Sequence, residues 1–162
     1  MTQRGPRTIS DTVKKIAAPM ETVFLFLCDF RSWNKWISPQ SRFESSLNFF
    51  DSKGDACTEY FGLFGTSEIT WTVRDINKPL SLVVYSSSSK GTFGWDELEL
   101  DFLLSPAINE QTKSPETILQ LKYSWTVLNP AVALIERSLI RENMLSDTIQ
   151  ALYRFAYICE KK

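Results

Sequence analysis

"DFRSWNKWISP", residues 29–39, sets two tryptophans three positions apart in a short polar stretch that ends on a proline. An indole ring is costly to leave in water, and once buried its N–H needs an acceptor. A linker would not carry two of them. At this spacing Trp33 and Trp36 share one face of a short helical turn, which Pro39 brings to an end. The reading of the whole chain turns on which larger body receives both rings.

The flanking sequence supplies that body. Upstream, residues 8–17 ("TISDTVKKIA") are β-branched and alternating, which predicts a first strand. "APMETVFLFLCDF" follows, with Pro19 placed for the first turn of a helix and Glu21 at its positive end. Val23, Phe24, Phe26 and Leu27 share one side of that helix. From about residue 42 to about residue 128 the period changes to two. "RFESSLNFF" (42–50) and "ACTEYFGLF" (56–64) read as a hairpin around "DSKGD", and "SEITWTVRDI" (67–76) and "LSLVVYS" (80–86) as the next two strands. "WDELELDFLL" (95–104) and "TILQLKYSWTV" (117–127) each put apolar side chains on one face and polar ones on the other. Such strands in succession predict an antiparallel sheet with one wet side.

Asn129 and Pro130 then make a helix start, Asn at the cap and Pro at the first position. The predicted helix runs to about residue 159 with Leu134, Leu145, Ile149, Leu152 and Ala156 in its apolar stripe and Ile135 and Tyr153 at the edge. Glu136, Asn143, Asp147, Gln150 and Arg154 fall opposite. The fold class is α+β: one strand, two short helices, six strands and a long amphipathic helix. A tail of residues 1–7 precedes a single domain over residues 8–160, a length that can bury a core without staples.

Composition removes several function classes. The chain has no histidine, so it holds no Ser-His-Asp or Cys-His nucleophile system, no HExxH zinc site and no imidazole base. A net charge of −1 with scattered basic residues gives no footprint for nucleic acid. The three cysteines, Cys28, Cys57 and Cys159, are too few and too far apart for a disulfide framework or a zinc motif. Cys28 and Cys57 sit among apolar neighbours and read as buried thiols. Neither a signal peptide nor a run of eighteen apolar residues is present, so a cytoplasmic protein without membrane spans is expected. Aromatic residues, at 13%, supply bulk for a large core or for the walls of a cavity.

The order of elements, together with "AAPMETVFLFLCDFRSWNKWISP" (17–39), "KGD" in the second turn, "W-x-V" on the fourth strand ending in "INKP", and the closing helix, resembles the START-like or SRPBCC superfamily. The resemblance is greatest to its polyketide cyclase/dehydrase-like branch and covers nearly the whole chain. It implies a Bet v 1-like helix-grip fold, in which a curved seven-stranded antiparallel sheet wraps a long C-terminal helix and two short helices close one end. Trp33 and Trp36 are then expected where the short helices meet the sheet.

The same resemblance implies a cavity between the concave sheet and the long helix. Trp71, Phe102, Leu121, Tyr123 and Trp125 are expected to line it or to fill it. The facing of Tyr60 and Tyr85 is left open by the alternation, and Tyr85 is kept as a candidate ligand contact. On the helix, Leu145 belongs to the stripe, Ser138 and Glu142 fall inside it and Arg141 lies near its edge. A carboxylate facing an apolar cavity is an acid, a base or a ligand anchor; alternatively the helix start protrudes past the sheet and Glu142 is solvated or paired to a nearby Arg. An entrance is implied at residues 62–65, at residues 86–94 and at the turn before the long helix. Glu97, Glu99 and Asp101 read as a solvated face.

Three functions follow. The first is binding or transport of a small hydrophobic molecule, such as a lipid, polyketide or aromatic metabolite, which needs only the cavity and no cofactor or metal. The second is a cyclase or aromatase acting in that cavity through Glu142, Tyr123 and Arg141. The third is a protein-interaction module like the Hsp90-activator branch, whose tryptophan- and glycine-rich hairpin has no counterpart here.

Overall fold

The computed structural model describes residues 8–61, 67–86, 89–90, 95–127 and 141–161. The tail of residues 1–7, the 62–65 loop, most of the 86–94 loop and the start of the long helix, with Asn129, Pro130, Leu134, Ile135, Glu136 and Ser138, lie outside the described residues. Strand β1 (Thr8–Ile16) leads into helix α1 (Met20–Cys28), a short 3-10 turn (Phe30–Ser32) and helix α2 (Trp33–Trp36). Strands β2 (Arg42–Glu44), β3 (Ala56–Phe61), β4 (Ser67–Asn77), β5 (Ser81–Ser86), β6 (Ser89–Lys90), β7 (Trp95–Ile108) and β8 (Pro115–Val127) follow, and helix α3 (Arg141–Glu160) closes the chain. All strand pairs are antiparallel, in the spatial order β1-β8-β7-β5-β4-β3-β2, with the two-residue β6 added beside β4. This is the expected open seven-strand sheet with a C-terminal helix.

Cross-strand partners share a face, so register decides what enters the core. One inward row runs Val84–Leu100–Tyr123–Ser10 and the next Leu82–Phe102–Leu121–Thr12. On β4, Ile69, Trp71 and Val73 are buried. A register shift between Val73 and Asp75 then inserts one residue, and after it Ile76 rather than Asp75 packs against the core. A bulge of this kind bends its strand and raises the local twist, as a concave sheet requires.

Trp33 and Trp36 are both fully buried. The Trp33 ring meets Trp36, Phe43, Phe50 and Phe102, with centroids 5.6–6.3 Å away. Its Nε1 donates to the Leu27 carbonyl at the end of α1, 2.9 Å away. Trp36 lies 6.1 Å from Phe102 on the sheet and 4.6 Å from Phe155 on α3. The body that takes both rings is therefore the junction of short helices, sheet and long helix. Strand β2 ends at Glu44 instead of running to residue 50, because Phe50 leaves the sheet to join this cluster. Its N–H donates to the Cys28 carbonyl (2.8 Å), and its ring packs on Phe30 and Trp33.

Helix α3 buries Thr148, Ala151, Leu152, Phe155, Ala156 and Cys159. The stripe is rotated from the expected one. Ile149 is 39% exposed and Tyr153 62% exposed, the latter beneath the Lys14 ammonium at 4.1 Å. Phe155 seated on Trp36 fixes this phase, and Arg154, expected on the far side, donates from Nε to the Trp36 carbonyl (3.0 Å). On α1 the buried set is Val23, Phe24, Leu27 and Cys28, with Phe26 half-buried. Among the described residues no helix is long and apolar enough to cross a membrane.

The two indoles differ in one respect, since Trp36 Nε1 is buried with no hydrogen-bond partner. Trp33→Phe removes a made bond and strands the Leu27 carbonyl, whereas Trp36→Phe removes an unpaired donor. In urea unfolding, Trp33→Phe is expected to cost about 1 kcal/mol more than Trp36→Phe. Equal losses would contradict this account of the Leu27 bond.

Candidate functional site

Strand β3 turns Cys57 and Glu59 inward, both nearly inaccessible to solvent. A carboxylate is expensive to bury unless its oxygens are hydrogen-bonded, and the neighbouring elements supply the donors. Trp71 Nε1 on β4 donates to Glu59 Oε1 (2.9 Å), and Ser41 Oγ donates to Oε2 (2.5 Å). Ser41 is hydrogen-bonded in turn to Ser38, just beyond α2. A continuous polar chain thus joins the exit of the short helices to two strands of the sheet.

Glu59 lies at the edge of a cavity of about 390 Å³ between the concave sheet and α3. Its apolar wall comes from Ile69, Trp71, Leu100 and Leu121 on the sheet, Trp33 and Ile37 at the short-helix end, and Ala151 on α3. The polar groups are Glu59, Tyr123, Ser38, Thr148 and, at the exposed rim, Asp147. Burial pushes the Tyr123 phenol well above its ordinary range, and the nearby Glu59 charge pushes it further. Tyr123 is consequently held in its neutral, O–H-donating form, while both Glu59 oxygens accept hydrogen bonds. Among the described lining residues two are acidic and none is basic. No cluster of three His, Cys, Asp or Glu capable of holding a metal occurs among the described residues.

No protein-family model and no curated protein matches the sequence. Solved structures do match in shape. Protein MLL2253 from Mesorhizobium loti aligns over 96% of this chain and 98% of its own, with a TM-score of 0.68 at 12% identity. A START superfamily protein from Mycobacterium smegmatis aligns over 91% and 92%, with a TM-score of 0.64 at 13% identity. The chain has a START-like helix-grip fold. DynU16, a protein of the dynemicin biosynthetic locus, shares it at a TM-score of 0.63 and 14% identity, the match covering 96% of this chain and 48% of DynU16.

Around this cavity the candidate residues separate. Trp71, Leu121 and Tyr123 line it. Phe102 is fully buried against Trp33 and Trp36, and Trp125 is fully buried against Tyr123, centroids 5.3 Å apart. Tyr85 belongs to the other face of the sheet. Leu82, Val84 and Ser86 take the inward positions of β5, so Tyr85 points outward and lies under the Arg74 guanidinium at 4.1 Å. Arg74 also pairs with Glu99, so that part of the acidic ladder is a partnered cluster rather than a solvated face. Tyr60 likewise faces outward, with Arg42 4.9 Å over its ring. Arg141, Glu142 and Leu145 have backbones within α3, but their side chains, like Ser138 as a whole, lie outside the described residues.

Glu59 is the candidate group that sequence reading missed. Its signal was present: in "ACTEYF", alternation from an apolar Cys57 puts Glu59 on the core side, opposite a strand whose own inward face carries Trp71. Ser38 and Ser41, in a loop, carry no periodicity that would announce them.

All three cysteines are free and buried, and burial lifts each thiol from an ordinary 9.0 to about 12. A folded-state pKa above the unfolded value means stability is fully present below pH 9 and is lost progressively as pH rises toward 12. Tyr123 acts in the same direction at higher pH. The urea midpoint is expected to fall steadily above pH 9. Cys57→Ala should shallow that fall by about 1.4 kcal/mol per pH unit; an unchanged slope would show that Cys57 does not contribute.

Proposed function

We propose that the chain binds a small hydrophobic molecule in the START-like cavity. The observation that carries this reading is a mostly apolar space of about 390 Å³ onto which a fixed carboxylate and a neutral phenol converge. Concave apolar clefts with a few oriented polar groups are the usual form of a ligand site, and this one is near the lower end of their roughly 300–1,000 Å³ range. The size favours a compact aromatic or polyketide-like molecule over a two-chain lipid. DynU16, with the same fold, belongs to a biosynthetic locus, which agrees with that class. The cytoplasmic location expected from the sequence suits such a carrier or sensor.

A second reading, a cyclase or aromatase in the same cavity, is supported by the pairing of Glu59 with Tyr123. Glu59 would take a proton from carbon next to a carbonyl held by the Tyr123 hydroxyl, an acid/base arrangement that needs no cofactor. The two readings part on whether a bound molecule leaves unchanged, which mass spectrometry of the released compound decides.

Binding is tested with phenylnaphthylamine, a neutral dye whose emission rises in apolar surroundings. The wild-type protein is expected to saturate near one dye per chain. Ala151→Phe places a ring in the cavity from α3 and should weaken binding by at least about tenfold, with the circular dichroism spectrum retained. Undiminished binding by that variant would put the dye elsewhere and overturn the proposal.

A further inference from the structure

Resting on the binding reading above, we infer that the molecule taken up carries a hydroxyl group, received jointly by Glu59 and Tyr123. The polar end of the cavity is complementary to a group that both donates and accepts. Trp71 Nε1 and Ser41 Oγ each occupy one oxygen of Glu59. A carboxylate has about four acceptor positions, so roughly two remain for a ligand. Because both oxygens are already held by protein donors, the carboxylate is oriented before the ligand arrives and loses little freedom on binding. Tyr123, on β8, lines the same cavity within the field of the Glu59 charge and carries one O–H donor. An alcohol or phenol satisfies the pair: its proton goes to Glu59 and its oxygen accepts from Tyr123.

End groups that only accept, only donate or do neither leave one partner unsatisfied. A ketone or ether accepts from Tyr123 but gives Glu59 no proton. A hydrocarbon answers neither group, and unpaired polar atoms in a desolvated site cost more than the bond would have gained. A carboxylate ligand sets like charges together where water is scarce, with no basic side chain among the described lining residues to relieve them. An ammonium pairs with Glu59 but cannot accept from Tyr123. Sites built to hydrogen-bond a hydroxyl discriminate strongly against analogues that lack it.

The test is calorimetric titration of one scaffold with exchanged end groups: naphthylmethanol, its methyl ether, methylnaphthalene, naphthoate and naphthylmethylamine, each also competed against phenylnaphthylamine. The alcohol is expected to bind at least about tenfold more tightly than every other member. Tyr123→Phe keeps the ring against Trp125 and removes only the hydroxyl; it should weaken the alcohol and the ether by about tenfold each and leave the hydrocarbon unchanged. Glu59→Gln keeps an oxygen for Trp71 but replaces the other acceptor with an NH2; it should weaken the alcohol by about tenfold without weakening the ether, and where it lowers stability, Tyr123→Phe alone decides. Equal binding of alcohol, ether and hydrocarbon would overturn the hydroxyl preference while leaving hydrophobic binding intact. Tighter binding of the amine or the acid would overturn it in favour of a charged ligand. If no member binds and the dye is not displaced, the binding reading itself fails, and this inference with it.

Discussion

The Trp33 indole is the point at which three separately coded pieces of chain are made to agree. Its N–H fixes it to the end of α1, and its ring faces meet Phe50 from the long β2–β3 connection and Phe102 from the centre of the sheet. Trp36, one turn on, carries the same contact to Phe155 on α3. A curved sheet cannot close on itself, so its concave face has to be filled by something else. Here the filling at one end is an aromatic cluster whose members come from residues 30 to 155, so none of the elements that contribute them can shift alone. Rings meeting edge to face or tilted are well suited to this, since their geometry is specific as well as their area large.

Trp33 also lines the cavity, which makes the packed end and the open end two sides of one side chain. The polar chain Ser38–Ser41–Glu59–Trp71 begins just beyond α2 and crosses to β3 and β4. The same short helices therefore position the aromatic cluster and tether the buried carboxylate. Burying that carboxylate is not a route to stability, because desolvation offsets much of what the two hydrogen bonds contribute. An apolar pair at these positions would pack the sheet as well. What the carboxylate adds is a fixed acceptor facing a space that is otherwise mostly greasy, and that is a property useful to a ligand.

The fold was legible in the sequence because its strongest signals are periodic. Strands β7 and β8 alternate cleanly from Leu98 and Leu119 onward, and a spacing of three put both tryptophans on one helical face. Where the reading slipped, tertiary contacts had overruled a local rule. By period Phe49 continues the side of Phe43 and Leu47 while Phe50 falls with Arg42, Glu44 and Asn48, yet it is Phe50 that is buried against Trp33 and Phe49 that is exposed. Ile149 has a stripe position by period, yet the seating of Phe155 on Trp36 turns it toward solvent. Tyr85 could not be assigned a face from its own strand; its neighbours on β4 and β7 give it Arg74 and Glu99 on the outside. The site was less legible than the fold, because a functional carboxylate was sought on the helix, where a polar residue interrupts an apolar stripe. On a strand the equivalent interruption is a single letter in a six-residue segment, and it carries meaning only once the facing of Cys57 is known.

Composition alone could not say whether the large rings would line the interior or fill it, and the register divides them. Phe102 and Trp125 are filled in completely, whereas Trp71 and Tyr123 border open space. For Phe102 the difference lies opposite it, on α3. Toward its C-terminal end the helix offers Phe155, a ring long enough to reach Trp36 and close the interior. One and two turns earlier it offers Ala151 and Thr148, whose side chains are too short to cross the same gap. A helix held at one end by a large side chain cannot settle closer to the sheet at the other, so the small residues leave a space that repacking does not remove. The cavity is thus a consequence of side-chain size along one helix face, fixed in place by the aromatic cluster that the opening tryptophan pair begins.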